Sequence, residues 1–121
     1  MTVTLVTGAN SGLGRATALL LAQKGHKVYA GMRNVEKGAK LLELAESYDL
    51  SAIEIDVADN DSVLSCAEQI EANGDTVDVL VNNAGIALNS VTEDIDIDKA
   101  KEVMEVNVWG PVRCVKAFVP G

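Results

Sequence analysis

The sequence predicts a doubly wound α/β fold, built on a parallel sheet of about four strands in the order 3-2-1-4. Short runs rich in Val, Ile and Leu alternate along the chain with stretches of helical periodicity. A glycine-rich turn stands where the first strand gives way to the first helix. Strand followed by helix followed by strand, repeated along the chain, requires right-handed crossovers, which lay helices on both faces of the sheet.

The expected strands are 2–7 (TVTLVT), 27–31 (KVYAG), 51–57 (SAIEIDV) and 77–82 (VDVLVN). Three of these runs are apolar enough to be buried on both faces. The first helix runs from Leu13 to Lys24 and stops at Gly25, a residue that can take the left-handed conformation ending many helices. The second spans Val35 to Tyr48, with Val35, Ala39, Leu42 and Ala45 on one stripe. The third covers 62–72, puts Val63, Cys66, Ala67 and Ile70 on one face, and ends at Asn73-Gly74. A fourth is expected over about 98–108, and Pro111 is expected to open a fifth, because its fixed φ suits a first helical turn.

At 121 residues the chain has the size of one domain, and 48% hydrophobic residues allow a packed core. Lys and Arg number 10 against 18 Asp and Glu, a net charge of −8 that argues against gripping a nucleic-acid backbone. No apolar run reaches the roughly 18–20 residues that span a bilayer. The opening MTVTLVTGAN has neither the basic flank nor the apolar stretch of a signal peptide. Two cysteines are too few for a disulfide scaffold, and with one histidine they leave little for a zinc site. The expectation is a soluble, reduced, cytoplasmic domain with no metal site and neither a membrane nor a nucleic acid as partner.

The sharpest feature is Thr7-Gly8-Ala9-Asn10-Ser11-Gly12-Leu13-Gly14. Glycine lets the backbone turn tightly and approach a ligand with no Cβ in the way. The helix behind the loop aims unpaired N–H groups and its positive dipole end at it, which suits a pyrophosphate. Gly14 lets that helix pack closely on the strand. The Gly-x-x-x-Gly-x-Gly spacing is one residue longer than the common dinucleotide fingerprint. Asp56-Val57 ends the third strand, where open α/β sheets bind ligands, and a carboxylate there can accept a hydrogen bond from an exocyclic amine. Asn82-Asn83-Ala84-Gly85 ends the fourth, with small residues that permit close backbone approach.

With these motifs and Asn107-Val108-Trp109-Gly110 in this order, the chain resembles the amino-terminal half of a short-chain dehydrogenase/reductase. The resemblance spans essentially the whole sequence. It implies a Rossmann-type NAD(P)-binding domain over residues 1–121, incomplete relative to the family. The parent activity it implies is hydride transfer between a nicotinamide dinucleotide and an alcohol/carbonyl pair. Cofactor contacts are implied for Thr7, Gly8, Asn10, Ser11, Gly12, Leu13 and Gly14 in the first loop. Asp56, which would hold the adenine amine, and Val57 are implied next, then Asn82, Ala84 and Gly85 beside the adenine ribose.

Of the family's catalytic Asn, Ser, Tyr and Lys, the chain carries only Asn107. Tyr29 is followed four residues on by Arg33 and Tyr48 by Ala52, so neither begins a Tyr-x-x-x-Lys. Losing a positioned acid/base costs about 10²–10⁴ in rate, so the chain alone is expected to show no dehydrogenase activity. Two other roles fit the motifs: a non-catalytic nucleotide-binding or regulatory partner, and a truncated product with no independent role.

In such folds an acid at the end of the second strand selects NAD through the ribose 2′-OH, while a nearby Arg accommodates the 2′-phosphate of NADP. Here Met32 takes the acid's place and Arg33 comes directly after it. A charge-assisted hydrogen bond of about 1.5–3 kcal/mol favours the phosphate by roughly tenfold to a hundredfold. NADP(H) is therefore expected over NAD(H). The fourth strand, with its VDVLV run, is expected to be an exposed sheet edge that invites self-association or pairing with another chain.

The remaining conspicuous residues have structural readings. His26 precedes the second strand, at the end of the sheet away from the expected cofactor. Cys66 on its apolar stripe reads as a buried, inert thiol, and nothing near Cys114 in the sequence suggests activation. Asp94, Asp96, Asp98 and Glu105 reproduce part of a calcium-loop pattern, but Lys99 stands where the turn glycine is needed. Those acids are expected instead at a helix N-terminus, and Trp109 is expected in packing.

Overall fold

The computed structural model describes residues 1–86 and 94–119. Its four-stranded sheet has the order β3-β2-β1-β4, as expected, with every neighbouring pair parallel. The strands are β1 (Val3–Val6), β2 (Lys27–Met32), β3 (Leu50–Glu54) and β4 (Val79–Val81). Leu5 stands opposite Tyr29 on one side and Leu80 on the other, so β1 lies inside the sheet and all four of its residues are buried. Alternate residues feed two cores. Val6, Val28 and Ala30 pack under α1 (Gly12–Gln23) and α2 (Ala39–Leu44) with Ala18, Ala22 and Leu41. Leu5, Tyr29 and Ile53 pack under α3 (Asn60–Ala72) and α5 (Gly110–Phe118) with Ile70, Cys114 and Phe118. Two apolar layers on opposite pleats explain why the central strands read as unbroken apolar runs.

Several elements depart from the expectation. β3 stops at Glu54, the partner of the last β2 residue, Met32, and Ile55 to Val57 continue as a loop. β3 and β4 are the sheet's edges, so they are only partly covered; Val79 is 38% exposed. The second helix opens as a 3-10 turn over Val35–Gly38, capped by Asn34, whose Oδ1 accepts from the Glu36 N–H. A 3-10 turn holds fewer residues than an α turn and shifts the phase of every later position in the helix. The buried positions are therefore Gly38, Leu41 and Ala45, while Val35 and Leu42 are exposed. The third helix begins at Asn60 because Asp59 caps it, accepting from the Asp61 N–H.

The expected fourth and fifth helices are joined. α4 (Ile97–Met104) runs through a π-helical turn, Glu105–Trp109, directly into α5. Pro111 has no N–H to give the carbonyl four residues back, and its ring crowds that carbonyl. A widened turn just before it removes the conflict without breaking the helix. Asp96 caps α4, with Oδ1 accepting from the Asp98 and Lys99 N–H groups. No helix among the described residues is long and apolar enough to cross a membrane.

Polar links tie the amino ends of the strands. The His26 ring bonds the hydroxyl of buried Thr4 through Nδ1 at 2.8 Å, a structural place for this histidine. The Tyr29 hydroxyl donates to Asp75, which also pairs with Lys27 at 2.7 Å. Burial and the Asp75 bond push the Tyr29 pKa up, and the Lys27 and Tyr29 bonds push that of Asp75 down.

Candidate functional site

The first loop is fixed to the end of β4 by one buried side chain. The Thr7 hydroxyl, on a residue 1% exposed, accepts from the Asn83 and Ala84 N–H groups at 3.0 Å each and donates to the Val81 carbonyl at 3.4 Å. Asn83 returns the link, its Nδ2 donating to the Gly8 carbonyl at 3.2 Å. Close approach needs glycine at two positions. A Cβ on Gly14 would stand 2.2 Å from the Gly8 carbonyl oxygen, and one on Gly8, at φ +65, would stand 2.9 Å from Ala84 Cα.

The N-terminus of α1 opens beside this loop. Ser11 occupies the cap position without a side-chain hydrogen bond, and the first turn carries no acid. The turn's N–H groups and positive dipole end are thereby left to an incoming anion. The loop borders a cleft of about 580 Å³ beyond the carboxyl ends of the strands.

Eight of the residues expected to contact the cofactor line the cleft, and so does Met32. Gly8, Asn10 and Ser11 form the first-loop side and Arg33 the rim after β2. Asp56 and Val57 line it after β3, and Ala84 and Gly85 after β4. The others stand apart from the wall. Thr7 lies beneath it, Gly14 is packed against the loop from behind, and Leu13 points outward, 81% exposed. Gly12, at φ +57, has open space around it, and Asn82 is exposed just past β4. Sequence reasoning passed over Asn34, Lys37 and Ile86, which also line the cleft. Lys37 had a signal, one helical turn beyond Arg33; Ile86 had none.

Asp56 sits two residues beyond β3, held from both sides. Its N–H donates to Ser62 Oγ at 2.8 Å, and its Oδ1 accepts from the Ala58 N–H at 3.0 Å. Among the described residues nothing bonds its second carboxylate oxygen, which can take a donor from a ligand.

Asn107, at the middle of the π turn, braces the opposite wall. Its Nδ2 donates to the Ile86 carbonyl at 2.7 Å and its Oδ1 accepts from the Ile86 N–H at 2.8 Å. Arg113 binds the same turn from α5. It donates to both Glu105 carboxylate oxygens at 2.9 Å, to the Glu105 carbonyl at 3.3 Å and to the Val57 carbonyl at 3.1 Å.

Cys66 and Cys114 are buried thiols outside the cleft, pushed up by burial to about 12 and about 11. Among the described residues no group of three or more His, Cys, Asp or Glu is arranged to hold a metal ion.

A glycine-rich βα turn under an open helix N-terminus, on a parallel sheet ordered 3-2-1-4, is the architecture of the doubly wound nucleotide-binding folds. Within that class the chain is placed by its matches. The short chain dehydrogenase family model matches residues 2–121, and the chain belongs to that family. It is 37% identical over 127 residues to the 17-beta-hydroxysteroid dehydrogenase type 1 of Homo sapiens, covering 98% of this chain and 38% of that protein. A gluconate 5-dehydrogenase from Burkholderia cenocepacia, solved in complex with NADP and tartrate, superposes with a TM-score of 0.89 at 30% identity, over 98% of this chain and 48% of that one. An alcohol dehydrogenase from Thermococcus sibiricus, complexed with 5-hydroxy-NADP, gives 0.92 at 32% identity, over 99% and 52%. The chain thus spans between 38% and 48% of the length of the curated relatives it matches.

Proposed function

We propose that residues 1–121 form the dinucleotide-binding domain of a short-chain dehydrogenase/reductase, holding NADP(H) in preference to NAD(H). The reaction served is hydride transfer between that cofactor and an alcohol or carbonyl compound. The observation that carries the reading is the pair of cations at the cleft rim. Arg33 and Lys37 line the cleft just beyond Met32, the buried residue in the position of an NAD-selective acid. The pyrophosphate sits on the α1 N-terminus beside Gly8, Asn10 and Ser11, with Thr7, Gly12, Leu13 and Gly14 shaping the loop. Asp56 and Val57 take the adenine, and Asn82, Ala84 and Gly85 flank its ribose. Asn107 belongs to the catalytic set. Residues 1–121 contain no Tyr-x-x-x-Lys, so this stretch binds the cofactor without turning over a carbonyl substrate.

Parallel fluorescence titrations with NADPH and NADH test the reading. The expected result is tighter binding of NADPH by about tenfold or more, with the ratio collapsing in Arg33→Ala. An unchanged ratio in that variant removes the preference; absence of binding to either dinucleotide removes the function.

A second reading rests on β4. Val79 is 38% exposed, and among the described residues no strand pairs with the strand's outer side. We propose that this edge pairs with a second chain. Val79→Lys should lower the associated fraction in light scattering; a clean monomer of the unsubstituted chain would refute the pairing.

A further inference from the structure

We infer that Arg113 is a positioning residue for the cleft, tying the loop that carries Asp56 to the turn that carries Asn107. The inference rests on the dinucleotide reading above and extends it to a residue that does not line the cleft. The two walls come from distant parts of the chain, 56–58 and 105–110. Arg113 is where they meet: one guanidinium nitrogen bridges the Val57 and Glu105 carbonyls while another holds the Glu105 carboxylate. Gly110 closes the joint, since a Cβ there would stand 2.7 Å from Val57 Cγ2.

Both ends of the joint matter to a ligand. Val57 lines the cleft beside Asp56, and the π turn contributes Val106 to the other wall. The turn also reaches the far side through Asn107, whose two bonds fix Ile86. The chain of contacts therefore runs from Asp56-Val57 through Arg113 to Glu105, along the turn to Asn107, and on to Ile86. A planar guanidinium is suited to this work, because it presents several N–H donors in fixed directions. A lysine ammonium at the end of a flexible stem cannot hold a carboxylate and two carbonyls in that geometry. Without the joint, the loop of Asp56 keeps the Ile55 N–H bond to the Met32 carbonyl and the bond of Asp56 to Ser62, and nothing ties Val57 to the π turn but the packing of Gly110.

Two measurements on the full chain test the inference. The first needs no ligand: backbone amide exchange at Ala58, whose N–H bonds Asp56, against amides of the central strand β1. Arg113→Ala should speed Ala58 exchange by about tenfold while β1 is unchanged. Equal Ala58 rates in both proteins overturn the joint, whatever the chain binds. The second is the affinity for adenosine 2′,5′-bisphosphate, a probe of the adenine side alone. Arg113→Ala should weaken it by about tenfold, and added methylguanidinium should recover part of the loss, which a misfolded variant would not show.

Should Arg113→Ala fail to fold, Arg113→Lys takes its place in both measurements. It is expected to exchange faster at Ala58 and to bind the bisphosphate more weakly than wild type, and wild-type values for it overturn the inference. Wild-type protein that ignores the bisphosphate and both dinucleotides defeats the functional reading instead, leaving the exchange measurement to decide the joint.

Discussion

Replacing Thr7 by valine removes one hydroxyl and keeps the shape of the side chain, so it isolates the link between the first loop and the end of β4. The hydroxyl serves three backbone groups. The Asn83 N–H retains the Val81 carbonyl at 3.0 Å, whereas Ala84 loses the partner of its N–H. An unpaired donor in a partly buried place costs about 1–3 kcal/mol, and the weakened bonds to Asn83 and Val81 add less than about 1 kcal/mol. The expected loss is about 2 kcal/mol.

With a urea dependence of about 1–3 kcal/mol per molar for a small protein, the far-UV CD midpoint should drop by about 1 M. Thr7→Ser keeps the hydroxyl and loses only a buried methyl, for about 1 kcal/mol. Thr7→Val should therefore fall about twice as far as Thr7→Ser. A Thr7→Val midpoint equal to or above that of Thr7→Ser would refute the assignment of the hydroxyl as the fastener.

Other contacts give two further expected outcomes. Gly14→Ala puts a Cβ against the Gly8 carbonyl and the Asn83 amide, so α1 must withdraw from the loop. Overpacking of about 1–3 kcal/mol outweighs the helix-propensity gain of about 1 kcal/mol, and both the melting temperature and NADPH affinity should fall. Stability should also decline at both extremes of pH. The lowered Asp75 pKa means that its contribution is present above its unfolded value and lost as pH falls through the folded one. The raised Tyr29 pKa makes its contribution present below its unfolded value and lost as pH rises through the folded one. Urea midpoints across the acid limb should be flatter in Asp75→Asn, and those across the alkaline limb flatter in Tyr29→Phe.

Sheet order and the first loop were legible because each has a local cause. Apolar runs such as VTLV need no context to be read as buried strands, and glycines at a strand–helix junction advertise close approach. In the second helix only Ala45 of the expected stripe is buried, because a 3-10 turn, fixed by the Asn34 cap, shifts the buried face from the one a single α period predicts. Pro111 carried a correct signal, standing in the first turn of α5; what it did not reveal is that the turn ahead of it widens, so that α4 runs straight on into that helix. At the cleft, residue types identified Asp56 and Arg33, but the division of labour was hidden. Thr7 and Gly14 act behind the wall, and that distinction depends on contacts with Asn83 and Ala84 about 70 positions away. Arg113 had no sequence signal, since its partner Val57 is a backbone carbonyl.

The π turn makes residue count a structural variable in this helix. Each residue of an α-helix advances the side chains by about 100°. Deleting one residue between Glu105 and Trp109 would let the turn tighten to regular α geometry, and because the widened turn already holds one residue more than an α turn, the helix beyond it would keep its phase. Cys114 and Phe118 would stay in the core under α3, and the loss would fall on the turn itself and on the bonds of Asn107 to Ile86. The same deletion between Gly110 and Arg113, in regular helix, would instead rotate Cys114 and Phe118 out of that core, so the cost of losing one residue depends on which side of Gly110 it falls.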